Sequence, residues 1–164
     1  MGSTTQAHLP ALGEHARDEV GNQLQATLVE LLDLSLFGKQ LHWSVTGPLF
    51  KPLHEQLDEL VDSWRELSDV VAERAVALGY FPDGQSAAIA AGSGLARLER
   101  GALEGHVVVR ELSERLNDIA DRVRERMDRL GEIDAASQDV VIEVLRELEK
   151  QLWMIRAQFG HVAS

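Results

Sequence analysis

His54 and Asp58 lie four residues apart in the chain, as do Asp69 and Glu73. Residues at i and i+4 sit one above the other on a helix face, so each pair can offer two donor atoms to one cation. Imidazole nitrogen and carboxylate oxygen together suit iron, manganese or zinc. Asp58 and Asp69 are eleven residues apart, which is close to three full turns at about 100° per residue and about 16 Å at about 1.5 Å per residue. Both pairs therefore share one face, and no single ion can reach both. As ligands they must belong to two different sites. A second copy of the helix laid antiparallel, with a two-fold axis near the level of Ser63 and Trp64, brings His54 and Asp58 of one chain against Glu73 and Asp69 of the other. Two equivalent sites per dimer result, each shared between chains. His42, twelve residues before His54, is delivered across Thr46-Gly47-Pro48 as a further ligand. Any one such pair, taken alone, reads more simply as a solvated face or a helix-stabilising contact. On spacing alone, Trp43 is a core or interface aromatic.

Four long helices are expected to position these residues. Val20, Leu24, Leu28, Leu31, Leu32, Leu36 and Leu41 follow helical spacing and predict a first helix over about 19–45, broken by Thr46-Gly47-Pro48. Leu53, Leu57, Leu60, Val61, Trp64, Leu67, Val71, Ala75 and Leu78 predict a second, ending at Gly79 as a C-cap residue. Residues 79–94, GYFPDGQSAAIAAGSG, read as a long crossover with room for one short helix in the alanine-rich middle. A third helix is predicted from about Leu95 to Leu130, stopped by Gly131. The fourth follows Asp134 or Ser137 as N-cap, with Val141, Val144, Leu145, Leu148, Leu152, Ile155 and Phe159 on its buried face. Strand-like alternation and internal repeats are absent from the sequence. Short links make antiparallel neighbours, and a crossover lets the third helix run parallel to the second. The expectation is an all-α, ferritin-like four-helix bundle over 19–160, with an N-terminal tail over 1–18 and a short C-terminal tail over 161–164.

The 164 residues suit a single domain with a real core. With no cysteine, disulfides, zinc–thiolate sites and thiol catalysis are excluded. No apolar run approaches a membrane span, and the N-terminus lacks the basic and apolar regions of a signal peptide, so a cytoplasmic protein is expected. The formal net charge is −11, from 27 acidic and 16 basic residues. Such a surface attracts cations and repels phosphate backbones, and by itself it also serves solubility. No Glu-x-x-His occurs anywhere. In-bundle di-iron proteins use that motif on two helices, which favours a metal site at an interface instead.

The stretch His42-Trp43-x-Val45-x-Gly47-x-x-Phe50-x-x-Leu53-His54-x-x-x-Asp58, followed by Asp69-x-x-x-Glu73, resembles the signature of the Dps proteins (DNA-binding proteins from starved cells), the small twelve-subunit members of the ferritin superfamily. The likeness continues through Ala72-Glu73-Arg74, Ser137-Gln138-Asp139 and Lys150-x-x-Trp153-x-x-Arg156, and covers most of residues 20–160. It implies that His42, His54 and Asp58 of one subunit and Asp69 and Glu73 of its two-fold mate bind at most two iron ions per site. Asp69 and Glu73 would be the principal carboxylates, with Glu73 free to bridge. His42 would bind the same ion, and His54 and Asp58 would hold a second, weaker one directly or through water. It implies oxidation of Fe(II), preferably by hydrogen peroxide, and storage of ferric mineral in a hollow homo-dodecamer that protects against oxidative stress. Trp43 would lie close to the site, where it can intercept radical equivalents or pack at the dimer interface.

The resemblance also implies an acidic three-fold pore, for which Asp134, Asp139 and Glu143 at the start of the fourth helix are the candidates. Acidic residues at a helix N-terminus have a simpler use in capping and in meeting the dipole. Direct DNA binding is not expected. The N-terminal tail is slightly acidic, AQFGHVAS after Arg156 holds no Lys or Arg, and twelve chains of −11 give a formal −132. The rival readings are a nucleoid-compacting protein with iron secondary, a scaffold bundle that needs none of the five ligands, and a zinc or manganese store without redox chemistry. His8, His15, His106 and His161 read as surface or incidental residues.

Overall fold

The computed structural model describes residues 12–159. Helix α1 (Glu14–Ser44) passes through a two-residue bridge, β1 (Val45–Thr46), into α2 (Phe50–Ala77). The crossover contains α3 (Ser86–Gly92) and ends in β2 (Leu103–Glu104), which leads into α4 (Gly105–Gly131) and then α5 (Ala135–Phe159). The principal packing is α1 on α2 and α4 on α5, with α2 against α5 and α1 against α4 closing the bundle.

β1 and β2 pair in parallel, Val45 beside Leu103 and Thr46 beside Glu104. The Thr46 hydroxyl also donates to the Leu103 carbonyl at 3.1 Å. Each bridge immediately precedes a long helix. The crossover therefore carries the chain back along the bundle, and α4 sets off beside α2 in the same direction. This is the connectivity expected from one long link among short ones.

Gly79 ends α2 as the sequence predicts. Its φ of +81° is a conformation that side chains disfavour. Its N–H bonds the Val76 carbonyl at 2.8 Å, and the Tyr80 N–H bonds that of Ala75 at 3.0 Å. These are the two bonds of a Schellman cap. The core is a continuous aliphatic cluster from all four long helices, with Trp64 fully buried at its middle. The Trp64 indole donates to Gln151 Oε1 at 2.7 Å, so its one polar atom is satisfied. Gly38 lets α1 lie close to α2, since a Cβ there would stand 2.6 Å from Trp64 Cζ3. That close approach sets α1 and α2 at the distance where their polar residues meet.

Four sequence expectations need correction. α1 begins at Glu14 rather than about residue 19. α4 begins at Gly105, not near Leu95. Leu95, Leu98 and Leu103 do pack on the core, but from an irregular strap whose Ala96 carbonyl is held by Arg115. Glycines at 94 and 101 disfavour a helix there. Leu36 is 57% exposed, and Leu34 and Phe37 occupy the core in its place. Finally, the chain has a strand bridge, too short to leave any alternation in the sequence.

Candidate metal centre

His42 ends α1 and His54 opens α2, and the turn between them folds one ring onto the other. Their centroids are 3.5 Å apart with planes 22° from parallel, and Phe50 backs the His54 ring at 4.8 Å. His42 Nδ1 lies 2.8 Å from the His54 carbonyl, and His54 Nδ1 lies 3.0 Å from the His42 carbonyl. A carbonyl oxygen only accepts, so each Nδ1 carries a hydrogen and donates. In the neutral rings the lone pairs then fall on Nε2. This is the tautomer in which an imidazole ligates through Nε2 while its other nitrogen is held by the protein.

Asp58 stands one turn beyond His54. Lys39 Nζ donates to Asp58 Oδ1 at 2.6 Å, and His42 Nδ1 is 3.3 Å from the same oxygen. The Lys39 hydrogen bond is the largest influence on Asp58 and holds its carboxyl below the usual carboxylate range. The nearby charges of Lys39 and the histidines act in the same direction and partial desolvation opposes them. Lys39, three residues before His42, is a member of this cluster that sequence reading did not single out. Its signal was the spacing to His42 and the scarcity of lysine in the chain.

Asp69 and Glu73 are exposed on the same helix. Among the described residues no side chain pairs with either. Since α2 is unbroken, about 16 Å of axial rise separates Asp58 from Asp69. Among the described residues no three His, Asp or Glu side chains enclose a point that could hold an ion. One chain thus presents two separate half-sites, a nitrogen-rich one and a carboxylate one. The level midway between them is marked on the outer face by Asp62 and Arg65. Trp64 points into the core, and Ser63 accepts a hydrogen bond from Gln151 at 3.0 Å. Trp43 is 70% exposed, with Lys39 Nζ 5.9 Å from its ring centroid. It therefore does not belong to this chain's own core.

The three pore candidates separate into two kinds. Asp134 is the N-cap of α5: its carboxylate accepts from the Ser137 N–H at 3.2 Å and from the Ser137 hydroxyl at 2.5 Å. Arg74, from the end of α2, bonds the same carboxylate at 2.7 Å and the Ser137 Oγ at 2.9 Å. Burial pushes the Asp134 carboxyl up, but the hydrogen bonds from Ser137 and Arg74 and the Arg74 charge outweigh it, and the net shift is downward. Asp139 and Glu143 are exposed. They line an open groove of about 1110 Å³ between α2 and α5 together with Glu66, Arg146, Glu147 and Lys150. His15 and His106 are exposed, while His8 and His161 lie outside the described residues.

Residues 21–164 match the family model described as "Ferritin-like domain". The chain is 34% identical over 151 residues to the DNA protection during starvation protein of Mycolicibacterium smegmatis, covering 91% of this chain and 81% of that protein. It is 32% identical over 149 residues to DNA protection during starvation protein 2 of Deinococcus radiodurans, covering 91% of this chain but only 62% of that longer protein. Its fold superimposes on a solved structure of Dps from Microbacterium arborescens in the high iron form with a TM-score of 0.85, at 28% identity, covering 96% and 100% of the two chains.

Proposed function

Because this chain belongs to the ferritin-like family, and within it to the Dps proteins, we propose that it is an Fe(II)-oxidising iron store whose oxidation sites are shared between subunits. The observation that carries this reading is the pair of half-sites on α2. One offers two imidazoles whose Nδ1 atoms are already committed, and the other offers two carboxylates with no partner among the described residues. Neither is complete, and a two-fold copy supplies to each what it lacks.

In this reading Asp69 and Glu73 of one chain take Fe(II) first, because two unpaired carboxylates offer charge without a cation to displace. His42 of the partner chain adds a neutral nitrogen. His54 and Asp58 serve a second, weaker ion, since Lys39 must first leave Asp58. Two Fe(II) each lose one electron, and hydrogen peroxide takes both electrons and two protons and leaves as two waters. The mixed nitrogen and oxygen donor set, without thiolate, holds Fe(II) and lets the ferric product move on. Trp43 stands beside His42, exposed in the single chain, where it serves as a radical trap or as part of the subunit contact. Asp139 and Glu143, in their open groove, are the residues for a cation path, and Asp134 contributes to the fold through Arg74. We place the protein in the cytoplasm as a homo-dodecamer; among the described residues no helix is long and apolar enough to cross a membrane.

The test is anaerobic Fe(II) loading followed by hydrogen peroxide, with ferric absorbance as the readout. Light scattering checks the particle against twelve times the 18.1 kDa chain. Fast oxidation that disappears in Asp69→Ala/Glu73→Ala, with particle size unchanged, supports the reading. Equal rates in both proteins would overturn it. The net charge of −11 argues against direct binding to duplex DNA, and a gel shift at physiological salt is expected to show none.

A further inference from the structure

The outer face of α2 has a self-complementary order that goes beyond the ligands. If His54 faces Glu73 and Asp58 faces Asp69 across a two-fold axis, every facing pair has residue numbers that add to 127. The same rule places Asp62 opposite Arg65. All six residues fall within about 100° of arc on the helix at about 100° per residue, so Asp62 and Arg65 share the ligands' face. Both are free to meet a partner, with side chains 75% and 56% exposed. Within one chain Arg65 Nη1 is 3.9 Å from Asp62 Oδ1, at the limit of an ion pair.

We propose that Asp62 and Arg65 form two reciprocal ion pairs with a second copy of this chain, Asp62 of each to Arg65 of the other, and that these pairs set the register of the two shared metal sites. The inference rests on the proposed inter-subunit site, since the register is the one that site requires. Its physical basis is electrostatic. On either side of the axis Asp58 of one copy faces Asp69 of the other, so two antiparallel copies repel each other there. Slipping one helix by four residues one way sets Asp62 against Asp69 and Arg65 against Glu66, and the other way sets Asp62 against Val61 and Arg65 against Asp58, so in neither does Asp62 keep a basic partner. In register, each Arg65 lies beside one Asp62 and within a turn of another carboxylate. The arginines thus offset repulsion at the axis and leave the carboxylates farther out for a cation. They act as positioning residues and touch no iron.

The test is a charge exchange, read by subunit association and by binding of Co(II) as a redox-inert probe of the site's spectrum. Asp62→Arg alone and Arg65→Asp alone each set like charges against each other twice per dimer. Each is expected to weaken association by about ten-fold or more and to lose the Co(II) spectrum in parallel. In a mixture of the two variants, every facing pair in the mixed dimer is again attractive. Mixed dimers are expected to form in preference to either parent and to regain Co(II) binding. The double variant Asp62→Arg/Arg65→Asp should behave like the wild type. Unchanged association in both single variants, or no preference for mixed dimers, overturns the register role. If those results come from a protein whose iron oxidation still depends on Asp69 and Glu73, the shared site stands and only the register inference falls. Loss of helicity in a single variant would be detected by circular dichroism, and the mixing experiment, performed on separately folded chains, then decides.

Discussion

The two half-sites on α2 are made of similar residues but prepared to very different degrees. At the His54 end, both imidazoles are pinned by each other's backbone and Asp58 is held by Lys39. At the Glu73 end, two carboxylates stand exposed with no partner among the described residues. The difference follows from what packs nearby. The end of α1 lies over the start of α2 and supplies donors and carbonyls, whereas Asp69 and Glu73 face outward, and no side chain among the described residues meets them. A nitrogen ligand needs orientation, because only one tautomer presents a lone pair outward. A carboxylate presents oxygen lone pairs however it turns. In the proposed site, the chain thus orders the nitrogen ligands that need order and leaves the carboxylates to be neutralised by a cation.

The largest expected effect tests the unprepared half. Asp69→Ala/Glu73→Ala should slow peroxide-driven oxidation by more than about 100-fold, since losing even an outer partner of a metal ligand costs about 10–100-fold in affinity or activity. Fe(II) titration under anaerobic conditions should show the same loss in binding. Removing the prepared half's nitrogen, His42→Ala, should cost about 10–100-fold in Fe(II) affinity. An effect equal to that of the double carboxylate variant would mean that both halves serve one ion equally.

Carboxylates engaged by the fold provide the contrast. Asp134→Asn removes an anion from the α5 cap and from Arg74, and should destabilise the chain by about 1–2 kcal/mol in denaturant unfolding, with the oxidation rate little changed. A large loss of iron uptake without loss of stability would instead make Asp134 part of the entry path. The Asp134 carboxyl is depressed in the folded chain, so its contribution is present above the unfolded pKa and is lost as pH falls through the folded one. The stability difference between wild type and Asp134→Asn should therefore shrink on acidification.

The smallest effect concerns Lys39. In Lys39→Met the Asp58 carboxyl should titrate closer to the ordinary carboxylate value, followed by carboxyl NMR on metal-free protein. Little change in unfolding is expected, because the pair is partly exposed to solvent. An unmoved titration would show that Lys39 does not hold Asp58 in solution, and the two half-sites would then be less different than they look.

Much of the architecture is legible along the chain because helices obey a local rule. Apolar spacing of three and four finds α2 and α5, and Gly79 marks where α2 stops. The alanine-rich stretch marks α3, and i,i+4 spacing puts His54, Asp58, Asp69 and Glu73 on one face. Local spacing fails where a residue's environment is decided by a distant one. Leu36 has a helical place among apolar residues, yet among the described residues no helix covers it. Leu95 and Leu98 reach the core from a strap that glycines keep out of the helix. Lys39 meets Asp58 nineteen residues on, and Arg74 meets Asp134 sixty residues on. The sequence by itself determined which donors exist, at what pitch and on which face, because those depend only on α-helix geometry. Only the tertiary structure decided which donors are already spoken for, because that depends on how α1 crosses α2 and where α5 begins.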